Sequence, residues 1–349
     1  MENKKEKIAI VLMNLGGPDS LKAVRPFLYN LFSDPAIIPW PNPFRSMLAW
    51  IISRGRSKKA QKIYEILGGR SPIYENTQIQ AKALKEVLNR RFSEFESDVF
   101  VAMRYWHPFT HETKKEVLAF NPDKVILLPL YPQFSGTTTG SSFTEWSNNW
   151  PHKSLSIGCY FDQPEFIEAH RNLIFKEWKK IPPNQRVRLI FSAHGLPKRN
   201  ILQGDPYQWQ VQQTVSRVMD SLKIDIDGTI DHILCYQSKV GKLEWIGPSL
   251  SDEIERAAQD HVGVLVIPIA FVSEHSETLV ELDVEYAQKA KDLGIPYYGR
   301  VPTVMDHVFF VNGLASLVGE KINQNPSHQL VILCPEEFTQ CGCRMKNKA

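Results

Sequence analysis

The chain repeats itself, and the repetition narrows its possible folds more than any other feature. The segment IAIVLMNLGGP (8–18) matches VRLIFSAHGLP (187–197) as an apolar run ending in a short turn with Gly and Pro. Downstream, VILLPLYPQFSGTTT (125–139) matches VLVIPIAFVSEHSET (264–278), apart from one residue of slippage. Weak internal similarity of this kind points to a duplicated unit with a cleft between the halves. Apolar, β-rich runs alternate with stretches of helical period, the pattern of parallel sheets flanked by helices. The expectation is an α/β fold of two Rossmann-like units.

Strands are expected over 8–13, 99–103, 124–130 and 154–160, then over 187–191, 233–236, 262–269 and 296–298. Helices are expected over 21–32, 78–92, 165–179, 206–222, 252–259 and 275–293. The sequence IPPNQ breaks helix and strand alike, which sets a first domain at 1–182 and a second at 183–305. A helix within 306–323 and a Cys-rich tail complete 306–349. A length of 349 residues accommodates two such units and a sizeable core.

Composition excludes more than it assigns. With 41 basic and 38 acidic side chains the net charge is +3, which leaves no electrostatic footprint for nucleic acid. The apolar run after the charged N-terminus is too short for a signal peptide, and no run approaches the ~20 apolar residues of a membrane span. The expected location is the cytoplasm. One stretch lacks a counterpart in the second half: DPAIIPWPNPFRSMLAWIISRGR (34–56), with four prolines, two tryptophans and flanking arginines. It reads either as an insertion packed on its own domain or as an apolar lip able to touch a membrane or a greasy ligand.

His194 directly follows the apolar run VRLIFSA, and Glu274, His275 and Glu277 follow VGVLVIPIAFV. In open α/β sheets ligands bind beyond the carboxyl ends of strands, so the two groups can converge on one site. Taken alone, each histidine is more often a hydrogen-bonded structural residue. Glu277, Glu281 and Glu285 recur four apart, on one face of a helix, with no interleaved lysine before Lys289. They form either an exposed acidic stripe or a carboxylate file that guides cations in or protons out. One histidine and one carboxylate make a thin ligand set, suited to a metal that must be released.

Three of the five cysteines, Cys334, Cys341 and Cys343, crowd into the tail. Their spacing matches neither a zinc ribbon nor a thioredoxin pair; with a fourth thiolate they would satisfy an iron–sulfur cluster. Cys159 and Cys235 are the candidates for the fourth. Cys235 lies in an apolar strand, where a cysteine behaves as a small hydrophobe, which favours Cys159.

Seven segments, in order, resemble the ferrochelatases: MNLGGP (13–18), GGRSPI (68–73), RYWHP (104–108), YPQFSGTTTGSS (131–142), FSAHGLP (191–197), QSKVGKLEWIGP (237–248) and FVSEHSETLVELDVEY (271–286). The resemblance implies an enzyme that inserts Fe²⁺ into protoporphyrin IX to form protohaem. His194 then corresponds to the family's active-site histidine and Glu277 to its facing carboxylate, together meeting the Fe²⁺ substrate or the pyrrole protons. Glu274 and His275 match their polar support, and Glu281 and Glu285 the carboxylate path. Arg56, Tyr64, Ser71, Arg104, Tyr105, Tyr131 and Trp245 match positions that hold the porphyrin or its propionates.

The tail resembles the bacterial branch whose [2Fe–2S] cluster would sit on Cys159, Cys334, Cys341 and Cys343. Leu15 stands where coproporphyrin-using relatives carry tyrosine, which favours protoporphyrin. The partners expected are protoporphyrin IX and Fe²⁺, with peripheral membrane contact through the apolar lip 34–56 and a homodimer. The rivals are a chelatase for another metal or tetrapyrrole (cobalt chelatase, coproporphyrin ferrochelatase), a porphyrin-binding protein without chemistry, and an iron–sulfur redox protein.

Overall fold

The computed structural model of the chain describes residues 5–226, 228–241, 243–323 and 334–343. The described residues divide into two compact units, one built from 5–159, 314–323 and 342–343 and the other from 160–313 and 334–341.

The first unit carries a four-stranded sheet of β1 (Lys7–Asn14), β2 (Glu96–Met103), β3 (Lys124–Pro129) and β4 (Leu155–Ser156). All pairings are parallel, in the order β2-β1-β3-β4. Its helices are α1 (Val24–Phe32), α2 (Phe44–Ile66), α3 (Ile73–Arg91), α4 (Thr110–Phe120) and α5 (Ser141–Ser147), the last continuing a π-helical turn over Gly136–Gly140.

The second unit opens with α6 (Pro164–Trp178). Its strands are β5 (Val187–His194), β6 (His232–Gln237), β7 (Gly263–Pro268) and β8 (Tyr298–Arg300), again all parallel and in the order β6-β5-β7-β8. Around them stand α7 (Lys198–Leu202), α8 (Tyr207–Leu222), α9 (Leu250–Gln259) and a π-helix (Glu277–Tyr286) that runs into α10 (Ala287–Asp292). The helix α11 (Val308–Asn323) comes last.

The two sheets share one topology, and each has a π-helical segment after its third strand, so the duplication read from sequence is structural. Parallel strands are covered on both faces and therefore read as unbroken apolar runs. Ile8 through Leu12 of β1 are all fully buried, as are Leu189 to Phe191 of β5. In each unit the chain leaves the central strand to one side and returns on the other. The topological switch point therefore lies between the carboxyl ends of β1 and β3, and of β5 and β7.

Three elements differ from expectation. The strand expected over 154–160 pairs only at Leu155–Ser156, and beyond it Gly158 packs against the backbone of Gly342 with no room for a side chain. The helix expected over 275–293 begins at Glu277 and is π-helical through Tyr286. The unit boundary falls at 159/160 rather than near 182, since α6 packs on α8 and Arg171 binds Asp225 through two hydrogen bonds. Nor do residues after 305 form a separate body: Gly313 packs on Gln163 in the second unit, while Ser316 accepts from Arg91 in the first.

His170 of α6 is buried against the Phe166 ring, and neither ring nitrogen has a hydrogen-bond partner among the described residues. Burial, with a small contribution from His307, lowers its pKa to about 3. The unfolded chain therefore binds a proton that the folded one refuses, and this sets the sign. Stability should hold above pH ~6.5, the ordinary histidine value, and decline as pH falls from there toward 3. Denaturant titrations of His170→Leu across that window should show a flatter decline than the parent chain.

Candidate active site

The second unit brings its chemistry to the β5–β7 switch point. His194 is the last residue of β5, and Glu277 opens the π-helix after β7. The His194 Nε2 lies 3.8 Å from Glu277 Oε1. On the other side of the ring, Nδ1 is 2.7 Å from the carbonyl oxygen of Gly195. A carbonyl only accepts, so Nδ1 carries the hydrogen, and in the neutral ring Nε2 presents its lone pair toward the carboxylate. The second oxygen of Glu277 is buried with no hydrogen-bond partner among the described residues.

Trp245 walls this corner, its ring centroid 6.3 Å from that of His194. A Cβ on Gly195 would lie 3.0 Å from the Trp245 ring and 3.2 Å from the Gln237 carbonyl, so glycine is what lets the indole approach. Pairing of Pro197 with Trp245 ties the FSAHGLP and QSKVGKLEWIGP segments together.

Glu274 and His275 flank the pair differently. Burial alone would raise Glu274, but the Arg300 guanidinium at 2.7 Å and the Thr303 N–H at 2.9 Å hold its pKa below the usual carboxylate value. It is a fixed anion. His275 is pushed down by burial, against the opposing charges of Glu277 and Glu274, and so stays neutral. Its ring packs on Phe271, and its backbone N–H donates to Thr278.

Of the three acids in file, two face inward. Glu281 is half-buried and accepts from Gln237 Nε2 at 3.0 Å, Ser238 Oγ at 2.7 Å and Ser238 N–H at 3.2 Å. Burial and the charge of Glu277 nonetheless raise its pKa. Glu285 is exposed, at the solvent end of the file.

In the first unit the expected porphyrin-holding residues fall into smaller groups. Ser71 packs directly against Gly17, and its N–H donates to the Pro18 carbonyl, so GGRSPI docks on MNLGGP. On α2, Arg56 is exposed over the Phe32 ring and Tyr64 is buried. Asp34, which sequence reading had placed only in the apolar insertion, is a buried hub. It binds Arg104 Nη2 at 2.9 Å, accepts from the Tyr105 hydroxyl at 2.7 Å, and accepts from Ser141. Tyr105 is only 1% exposed, so it supports Arg104 and Asp34 rather than presenting a surface of its own. Burial pushes the Tyr131 phenol up, and it stays protonated beside Ser142.

Among the cysteines, Cys159 and Cys343 have their sulfurs 3.7 Å apart in the first unit. Cys334 and Cys341 are buried in the second, where Gln210 donates to the Cys334 sulfur at 3.1 Å. Cys235 is fully buried in β6, its thiol pushed up by burial. No group of three or more His, Cys, Asp or Glu is gathered tightly enough to hold a metal ion among the described residues.

A family model described as Ferrochelatase matches residues 7–322. A ferrochelatase of Caulobacter vibrioides is 48% identical over 344 residues, covering 97% of this chain and 98% of the relative. One from Pelagibacter ubique is 45% identical over 345 residues with the same coverage, and one from a Wolbachia of Drosophila simulans is 50% identical over 316 residues, 89% of this chain and 98% of the relative. Among solved structures, SirB of Bacillus subtilis with Fe³⁺ superposes with a TM-score of 0.50 at 12% identity, covering 90% of this chain and 95% of that one. A multi-domain Deinococcus radiodurans protein, described as similar to chelatases, gives 0.52 at 11%, covering 91% and 56%. At such identities the structures speak to fold alone.

Removing the carboxylate of Asp34 leaves the largely buried Arg104 guanidinium with the more distant Glu145, at 3.8 Å, as its counter-charge. Asp34→Ala should therefore cost about 3–5 kcal/mol of stability, read as a lower denaturant midpoint, with Asp34→Asn falling between it and the parent.

Proposed function

The chain belongs to the ferrochelatase family, and on that premise we propose that it inserts Fe²⁺ into protoporphyrin IX in haem synthesis, with His194 and Glu277 handling the metal and the two pyrrole protons. The observation that carries this reading is the 3.8 Å separation between His194 Nε2 and the Glu277 carboxylate.

Two features suit that pair to the reaction. A first-row divalent ion lies about 2.0–2.2 Å from nitrogen and oxygen ligands, so a pair 3.8 Å apart can hold one ion between them. Two protein bonds are few enough to give it up again. Insertion also releases two protons as the porphyrin takes Fe²⁺, and the Nε2 lone pair is a ready acceptor. Glu277 stabilises the imidazolium that results, while neutral His275 adds no competing positive charge. Glu281, with its raised pKa, can take a proton onward, and exposed Glu285 can pass it to water. Glu274 stays anionic on Arg300 and orients the loop.

In this proposal Arg56, Tyr64, Ser71, Arg104 and Tyr131 serve the porphyrin or its propionates, Arg104 with the backing of Tyr105 and Asp34. Trp245 supplies an aromatic wall. The Leu15 departure supports protoporphyrin over coproporphyrin, and the match at 45–50% identity to ferrochelatases does not favour another chelatase.

A [2Fe–2S] cluster on Cys159, Cys334, Cys341 and Cys343 is also proposed. Two thiolates on one tetrahedral metal at about 2.3 Å each lie about 3.8 Å apart, close to the Cys159–Cys343 spacing of 3.7 Å. Bound there, such a cluster would supply a one-electron centre or a staple for the tail. Peripheral membrane contact through 34–56 finds support in Trp40, Phe44, Met47, Trp50 and Ile51, all about half exposed beside Arg45 and Arg54. No helix among the described residues is long and apolar enough to cross a membrane.

The test is anaerobic incubation of His194→Ala with Fe²⁺ and protoporphyrin IX. Haem formation should fall by at least about a hundredfold, while quenching of porphyrin fluorescence on binding is retained. Near-normal turnover refutes the assignment.

A further inference from the structure

The π-helix acid Glu281 is held by neighbours that the family-level reading leaves without a role. Gln237 ends β6, directly beside His194 in the β5 ladder. Its side-chain carbonyl accepts from the hydroxyl of Ser192 at 2.7 Å, and both residues are buried. The acceptor-only groups on the π-helix decide which way the amide points, and the Ser192 hydroxyl, which can donate, meets its oxygen. With the carbonyl toward Ser192, the NH₂ end faces the π-helix, where it donates to the Glu281 carboxylate at 3.0 Å and to the Glu277 backbone carbonyl at 3.1 Å. Ser238 adds its hydroxyl and its N–H. A single amide thus connects the strand that carries His194 to the backbone of Glu277 and to the next acid behind it.

We propose that Ser192 and Gln237 are positioning residues that orient the Glu281 carboxylate as the second proton acceptor, behind His194 and Glu277. The proposal rests on the proton-handling reading of that pair. The groups facing Glu281 are Glu277 and Tyr286 on its own helix, His194 from β5, and the neutral donors Gln237 and Ser238 from the end of β6. Burial and Glu277 favour the protonated acid, whereas the donors favour the carboxylate. The donors therefore keep Glu281 ionisable at working pH. Without Ser192 the amide oxygen loses its donor and Gln237 is held only from the π-helix side, which loosens that support.

The sign follows directly. Losing donors raises the Glu281 pKa further, so an empty acceptor becomes available only at higher pH. In anaerobic assays with Fe²⁺ and protoporphyrin IX, Gln237→Leu should move the acidic limb of the kcat profile upward by about one pH unit. It should cost about tenfold in kcat below the limb, leaving the porphyrin KM unchanged. Ser192→Ala should move the limb the same way by less. Ser238→Gly, at a residue with φ +64° where glycine carries no strain, should do likewise and guards against misfolding of the Gln237 variant.

A uniform fall in kcat with an unmoved limb, or a raised KM with kcat preserved, would overturn the proposal. His194→Ala run in parallel separates the two levels. If it turns over, the underlying reading fails; if it is inactive while the limb stays fixed in the other variants, only the role of Ser192 and Gln237 fails.

Discussion

One hydrogen bond, from His194 Nδ1 to the carbonyl of the next residue, orients the imidazole at the β5–β7 switch point. It fixes the ring and settles which nitrogen is free. With the hydrogen held on the backbone side, the neutral ring presents its Nε2 lone pair to the Glu277 carboxylate. The opposite tautomer would put an N–H there, making the pair a plain hydrogen-bonded contact with nothing left to accept a proton or touch a metal. Gly195 serves the same arrangement twice, by offering that carbonyl and by leaving space for Trp245.

The duplicated architecture gives the chain two switch points of like geometry but unlike chemistry. Leu15 follows β1 where His194 ends β5, by the alignment of the repeated segments. The π-helical turn after β3 reads GTTTG and carries no ionisable side chain, whereas the one after β7 reads ETLVELDVEY and carries four acids. The backbone supplies two equivalent sets of strand ends, and the residues placed there give them unlike chemistry. π-helical segments are rare and concentrate at functional sites, which fits their recurrence here beside both switch points.

Much of this was visible in the amino-acid order, for a physical reason. Strands covered on both faces must be apolar throughout, so six of the eight announced themselves as runs, and His194 could be placed at a strand end by counting. The short fourth and eighth strands did not, and beyond the fourth Gly158 packs on Gly342, far away in the chain. Nor could the π-helix be read, because side-chain spacing of the acids looks alike on either kind of helix. Asp34 looked like part of a proline-rich insertion. Its burial arises from Tyr105 and Ser141, 71 and 107 residues away, and no local pattern reports such a contact. Gln237 opens the segment QSKVGKLEWIGP, but its partner Glu281 is 44 residues on, and no local pattern links the two.

The central claim is the protonation pattern of one ring. ¹⁵N spectra of histidine-labelled protein, recorded at alkaline pH with His194→Ala to assign the signal, report it directly. A neutral His194 with its hydrogen on Nδ1 and a bare Nε2 is the predicted result. A signal showing hydrogen on Nε2 instead would contradict the account, because no lone pair would then face Glu277.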